Sequence, residues 1–196
     1  MIAAVVLAAG LSRRMGEPKL LLRLGGVPVI RATVERVRSS GVDRVLVVAG
    51  AERDAIQAAL AGLAVEIAVN PHPEEGQASS IRTGIAALPP GAEAALVALG
   101  DQPFVPAEVI QALLDERRRS GKAIAAPRYR DGRGNPVLFD RSVFPELLQI
   151  TGDEGARSVV QRDPSRVALV PFGFPMPADL DTPEDYQRLQ APSNPL

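Results

Sequence analysis

The chain of 196 residues has no cysteine, no tryptophan, a single histidine and only 4% aromatic residues. Without cysteine there are no disulfides, thiolate zinc sites or cysteine nucleophiles, and a cytoplasmic location is expected. One histidine cannot build a histidine-rich metal centre, so His72 is expected to be a surface loop residue. Long hydrophobic runs are also missing. The apolar stretch at residues 2–8 falls far short of the roughly 20 residues a membrane-crossing helix needs, and it lacks the basic start of a signal peptide. Nor does one sign of charge dominate: 22 Lys and Arg stand against 23 Asp and Glu, for a net charge of −1. The basic residues are scattered except for Arg117, Arg118 and Arg119, a run expected at the solvated end of a helix that Gly121 stops. Neither nucleic acid nor a membrane is therefore an expected partner, which leaves small molecules.

What is present is apolar residue in quantity. A hydrophobic share of 46% suits one domain with a substantial core, spanning residues 1–196 with a frayed tail at 191–196. Short apolar runs at residues 2–8, 44–49, 65–69, 94–99, 123–126 and 167–170 alternate with segments of helical period. Residues 28–40 place Ile30, Val34 and Val37 on one face and end at Gly41. Residues 106–119 repeat the pattern with Val109, Ile110, Leu113 and Leu114. The runs at 2–8 and 94–99 are continuous rather than alternating, so both of their faces are buried. This predicts an α/β fold, a mostly parallel sheet with helices on both faces, whose ligands bind beyond the carboxyl ends of the strands. Seven prolines between 127 and 177 break up the second half, and residues 127–178 are expected to form a small irregular lid of short strands and loops.

Residues 10–19, GLSRRMGEPK, follow the first strand directly. Two glycines let the backbone N–H groups close around an anion, while Arg13, Arg14 and Lys19 can neutralise phosphate oxygens. The alternative is an ordinary strand-to-helix loop. The spacing matches neither G-x-x-x-x-G-K-[ST] nor G-x-G-x-x-G, which disfavours P-loop kinases and dinucleotide oxidoreductases.

Other stretches carry oxygen and amide chemistry. Asp101, in GDQP at the end of the run 94–99, is placed as a hard-oxygen ligand for Mg²⁺, an ion held by one or two carboxylates plus substrate phosphates. The competing role is a turn or N-cap residue. In ADLDTPEDY, Asp179 and Asp181 alternate along an extended segment, so only one easily faces a metal, while Thr182 to Asp185 reads as a capping box. In NPHPEEGQASS, Gly76, Gln77, Ser79 and Ser80 can read a base edge or ribose hydroxyl, or simply cap a helix. In GRGNPVLF, the glycines and Asn135 suggest backbone contact with a ligand, and in GDEGAR, Arg157 can clamp an anion; a hairpin and a cap are the plain alternatives.

Residues Leu7, Ala8, Ala9, Gly10, Ser12, Arg14, Met15, Gly16 and Lys19 together match L-A-A-G-x-S-x-R-M-G-x-x-K, the nucleotidyltransferase signature. With N-P-x-x-x-x-G-x-x-x-S-x-x-x-G from Asn70, GDQP, G-N-P-V-L-F, GDEGAR and D-x-D-T-P-E-D, the chain resembles the molybdenum cofactor cytidylyltransferases of the MobA-like NTP transferase superfamily. One departure is Asn135, where histidine is usual. The resemblance implies a Rossmann-like nucleotidyltransferase fold and transfer of CMP from CTP to Mo-molybdopterin. It implies nucleotide contacts from Leu7, Ala8, Ala9, Gly10, Ser12, Arg13, Gly16, Lys19, Gly76, Ser79 and Ser80, with Arg14, Lys19 and Asp101 in the chemistry. Mg²⁺ would sit on Asp101 with Asp179 or Asp181. Gln102, Gly134, Asn135, Pro136 and Arg157 would meet the acceptor, and the lid would lie on the acceptor side. A molybdenum hydroxylase and its maturation factor are the implied partners. Ala9 favours the cytidylyl over the guanylyl branch. A guanylyltransferase, another cytidylyltransferase and a non-catalytic nucleotide-binding chaperone remain alternatives.

Overall fold

The computed structural model describes residues 1–12 and 15–190, so Arg13, Arg14 and the expected tail lie outside the described residues. Strand β1 (Ile2–Ala8) leads through the glycine loop to the hairpin β2 (Arg23–Leu24) and β3 (Val27–Pro28), then to α1 (Val29–Arg38) and β4 (Arg44–Ala49). Next come α2 (Arg53–Ala59), β5 (Glu66–Val69), α3 (Gln77–Ala86), β6 (Ala94–Leu99) and α4 (Ala107–Ser120). The second half supplies β7 (Ile124–Tyr129), β8 (Gly132–Arg133), β9 (Val137–Asp140), α5 (Phe144–Leu147), α6 (Arg157–Arg162), β10 (Val167–Pro171) and α7 (Pro183–Leu189).

The main sheet has the order β10-β7-β9-β6-β1-β4-β5, with β8 attached to β7. All pairings from β6 through β1 and β4 to β5 are parallel. The reason is legible in β1, whose seven residues are all buried. Its side chains alternate between two cores. Ile2, Ala4, Val6 and Ala8 join Val34, Ile110 and Leu113 on one face. Val5 and Leu7 join Ile81, Ile85 and Phe139 on the other. A strand sealed on both faces needs apolar residues at every position, and the intervening helices both cover the faces and make the parallel crossovers. Full burial of a side chain such as Leu96 or Phe139 contributes about 1.5–3 kcal/mol.

Residues 127–178 do not lie over the sheet as one lid. β9 is inserted into it, antiparallel to both β6 and β7, and β10 pairs parallel with β7 at the edge. Because β9 starts opposite the end of β6, with Val137 against Val97, it delivers the turn at residues 134–136 to the ligand-binding end of the sheet. The arginine run on α4 also differs from expectation. Gly121 stops the helix at φ +64° and Arg118 and Arg119 face water, but Arg117 turns back to the Asp140 carboxylate at 2.7 Å. Among the described residues, no helix is long and apolar enough to cross a membrane.

Candidate active site

The loop after β1 is wound around Ser12. Its carbonyl accepts the N–H groups of Met15 and Gly16 at 3.0 and 3.2 Å, and its hydroxyl accepts the Lys19 N–H at 3.2 Å. Ser12 itself has φ +47°, a left-handed conformation costly for a residue with a side chain and concentrated at binding loops. Buried Met15 pins the loop to the core, and Leu11 stands 45% exposed at its mouth. Pro18 then leads into a 3₁₀ turn at Lys19–Leu21, which turns the lysine inward.

The Lys19 ammonium lies 2.6 Å from Asp101 Oδ2 and 2.8 Å from Asp181 Oδ1. Burial works to lower its pKa, but the two carboxylates outweigh that penalty and the net shift is upward. Asp101 is set by an unusually close approach of strands. The Gly100 N–H donates to the Leu7 carbonyl at 2.9 Å, and a Cβ at Gly100 would lie 2.8 Å from that same oxygen. Thr33 Oγ1 donates to the Gly100 carbonyl at 2.9 Å from the other side.

The segment at 179–181 is tied down by the Leu180 N–H, which donates to the Asp101 carbonyl at 3.2 Å, while the Leu180 side chain is fully buried. Alternation then separates the two aspartates as the sequence predicts. Asp181 faces Lys19, and Asp179 turns away to accept a short hydrogen bond from Gln102 Nε2. Burial pushes the Asp179 carboxyl up, with the Gln102 hydrogen bond opposing. Thr182 and Asp185 do form the capping box, and Asp185 Oδ2 also accepts the Asp181 N–H at 3.2 Å.

Across the cleft, Asn70 organises the turn at 70–80. It is buried at 3% exposure, donates through Nδ2 to Ser79 Oγ and Ser80 Oγ at 2.8 and 3.0 Å, and accepts the His72 N–H at 2.9 Å. His72 is itself exposed, beside Glu74. Gly76 has φ +88°, and a Cβ there would meet the Gly152 carbonyl at 2.8 Å and the Asp153 carboxylate. The GDEG turn thus rests directly on the 76–78 backbone, with the Ala78 N–H donating to the Gly152 carbonyl at 3.0 Å. Between these walls lies a cleft of about 550 Å³, lined by Leu7, Ala9, Gly10, Ser12, Lys19, Gly76, Ser80, Asp101 and Asp181. Ser79 lies behind this surface, its hydroxyl donating to the Gly76 carbonyl at 2.8 Å.

A second cavity of about 110 Å³ adjoins the first, and Gln77 and Leu99 line both. Gly134, Asn135 and Arg157 line it. The turn that carries Gly134 and Asn135 is held by Tyr129, whose hydroxyl donates to the Asn135 carbonyl at 2.7 Å and whose ring packs with Phe172 and Phe174. Burial raises the Tyr129 phenol well above its ordinary pKa, so it remains a donor. Gln102 and Pro136 take a different place from the one expected. Both are buried beneath this surface between α1, β6 and α4, because Gln102 spends its amide on Asp179.

The structure therefore brings together Gly10, Ser12, Lys19, Gly76, Ser80, Asp101 and Asp181, and beside them Gly134, Asn135 and Arg157. Sequence reasoning passed over Asn70, Leu11 and Asp153. Asn70 at a strand end before proline reads as a turn, and only its burial discloses its two serine contacts. Among the described residues, no group of three or more His, Asp or Glu is placed to hold a metal. The donor set is two hard carboxylates already converging on one cation, the Lys19 ammonium, and that arrangement fits a divalent ion whose other ligands come from phosphates.

Comparison with known proteins agrees with this architecture. The purine catabolism protein PucB of Bacillus subtilis is 29% identical over 96% of each chain. The nicotine blue oxidoreductase of Paenarthrobacter nicotinovorans is 31% identical, again over 96% of each. The crystal structure of Rv0371c from Mycobacterium tuberculosis superposes with a TM-score of 0.85 at 37% identity, covering 96% of both chains, and the same protein has been solved in complex with manganese. Residues 4–167 match the profile of the MobA-like NTP transferase domain, and the chain belongs to that nucleotidyltransferase family.

Proposed function

We propose that the protein is a molybdenum cofactor cytidylyltransferase, using CTP and Mo-molybdopterin to make molybdopterin cytosine dinucleotide and pyrophosphate. The observation that carries this reading is a single cleft at the carboxyl ends of adjacent strands β1 and β6, lined by the loop at Gly10 and Ser12 and by Asp101 and Asp181, whose carboxylates converge on Lys19. In this reading an oxygen of the acceptor's phosphate forms a bond to the α-phosphorus of CTP. The bond from that phosphorus to the bridging oxygen breaks, and pyrophosphate leaves with the electron pair.

The chain's residues divide the work by charge. The backbone at Gly10 and Leu11, with Arg14 and Lys19, holds the β- and γ-phosphates and stabilises charge on the leaving group, the Met15 and Gly16 amides being spent on the Ser12 carbonyl. Gly76 and Ser80, backed by Ser79 and Asn70, meet the nucleoside. Asp101 and Asp181 would hold Mg²⁺, which when bound neutralises the phosphates and aligns them. Asp179 and Gln102 keep Asp181 in register and touch no substrate. No covalent intermediate is required, because proximity and preorganised charge suffice for an in-line displacement.

The test is pyrophosphate release from CTP, GTP and ATP in parallel, with Mg²⁺ and molybdopterin loaded with molybdate. Release with CTP alone, abolished in Asp101→Asn, supports the reading. Release with GTP moves the protein to the guanylyl branch, and tight CTP binding with no release makes it a binder.

A further inference from the structure

In the smaller cavity Arg157, expected from the sequence to meet the acceptor, has beside it a second arginine to which no role has been given. Arg133, on β8, lines it together with Arg157, the first residue of α6. Its floor is apolar, made by Ile81, Val97, Val137 and Phe139. Partial burial and the neighbouring Arg157 charge hold the pKa of Arg133 below its ordinary value, so the two guanidinium groups feel each other. Elsewhere such neighbours are neutralised: Arg162 and Arg166 share the Glu146 carboxylate. Glu154 lines the same cavity, yet neither Arg133 nor Arg157 makes an ion pair among the described residues. Two like charges facing one small cavity repel each other, and that cost turns into affinity when an oxyanion with several acceptor oxygens enters.

We propose that Arg133 and Arg157 form a two-arginine clamp for the phosphate monoester of the acceptor, with the body of the acceptor lying against Val97 and Val137. This rests on the nucleotidyl-transfer reading above, and it makes Arg133 a substrate-binding residue that grips the attacking group. Gln77 and Leu99, common to both cavities, mark the junction at which that phosphate would meet the nucleotide.

Two measurements on the full chain test the clamp. First, inorganic phosphate is titrated into the protein with CTP saturating and no acceptor, so that the loop cradle is already filled, and binding is read by calorimetry. Removing one charged donor pair weakens such a bond by roughly 10-fold or more. Arg133→Gln and Arg157→Gln are each expected to weaken phosphate that far, and the double variant to lose little beyond either single one, since both grip one anion. Second, the same variants are expected to raise KM for molybdopterin by about 10-fold or more while KM for CTP stays within about twofold. Phosphate binding unchanged in the double variant overturns the clamp, as does a KM for CTP that rises in step with that of the acceptor. If the wild-type protein releases no pyrophosphate from any nucleotide, the reading of the activity fails, while the phosphate titration still decides the clamp.

Discussion

Replacing Lys19 with methionine should destabilise the protein and at the same time create a stronger cation site. The ammonium is 14% exposed and lies between Asp101, 17% exposed, and Asp181, 33% exposed. Each hydrogen bond between charged groups contributes about 1.5–3 kcal/mol, and the part-exposed Asp181 bond belongs at or below the low end. Methionine preserves the stem and its packing but leaves two carboxylates facing each other. A net loss of about 2–4 kcal/mol follows, which for a chain of this size lowers Tm by roughly 5–12 °C. A divalent ion can then take the ammonium's place between them. At 100 times its dissociation constant it restores about 2.7 kcal/mol. The assay is thermal unfolding of wild type and Lys19→Met with and without Mn²⁺, in the absence of nucleotide. The variant should melt lower and gain more from Mn²⁺ than the wild type does. A variant that melts with the wild type, or that ignores Mn²⁺, would refute the placement of the cation between these carboxylates.

Other consequences are as direct. Gly76→Ala places a methyl against the Gly152 carbonyl at a left-handed backbone position, and it should cost about 1–3 kcal/mol and weaken CTP binding in calorimetry; equal affinity and equal Tm would show that the 152–155 turn does not fix this wall. Hydrogen bonding to Arg166, with Arg162 adding, lowers the Glu146 carboxyl below its ordinary 4.5. Its contribution is therefore present above about pH 4.5 and lost as pH falls through the depressed folded value. Glu146→Gln should cost no more than about 1 kcal/mol near neutrality, after screening, and the gap to wild type should narrow in melts as the pH falls below 4.5.

The sheet and the glycine loop were legible because their signals are local. A seven-residue apolar run has no alternative to burial on both faces, and two glycines directly after a strand mark a turn. The choice between Asp179 and Asp181 was not. Alternation separates the two, but the Leu180 amide on the Asp101 carbonyl decides which one faces Lys19, and that contact spans about eighty residues. Gln102 misled for a similar reason, since adjacency to Asp101 along the chain says nothing of which way the next side chain points. The position of Arg117 is written in the helical period. It follows Leu113 by four residues and Leu114 by three, so helical period carries it toward the sheet while Arg118 and Arg119 go to water. The GDEG turn on Gly76 brings together residues with no shared periodicity, and only the folded chain discloses it.

Strand β9 has a consequence of its own. It bonds only to β6 and β7, and it runs against both. The cleft residues Leu7, Ala9, Gly10 and Leu99 sit on the β6-β1-β4-β5 side of that insertion, whereas residues 132–137 run from β8, which pairs with β7, into the reversed strand. Under the proposed function the protein is a socket with an exchangeable fitting: replacing the segment between β8 and β9 with another of equal length is expected to alter the acceptor while leaving the parallel half as it is.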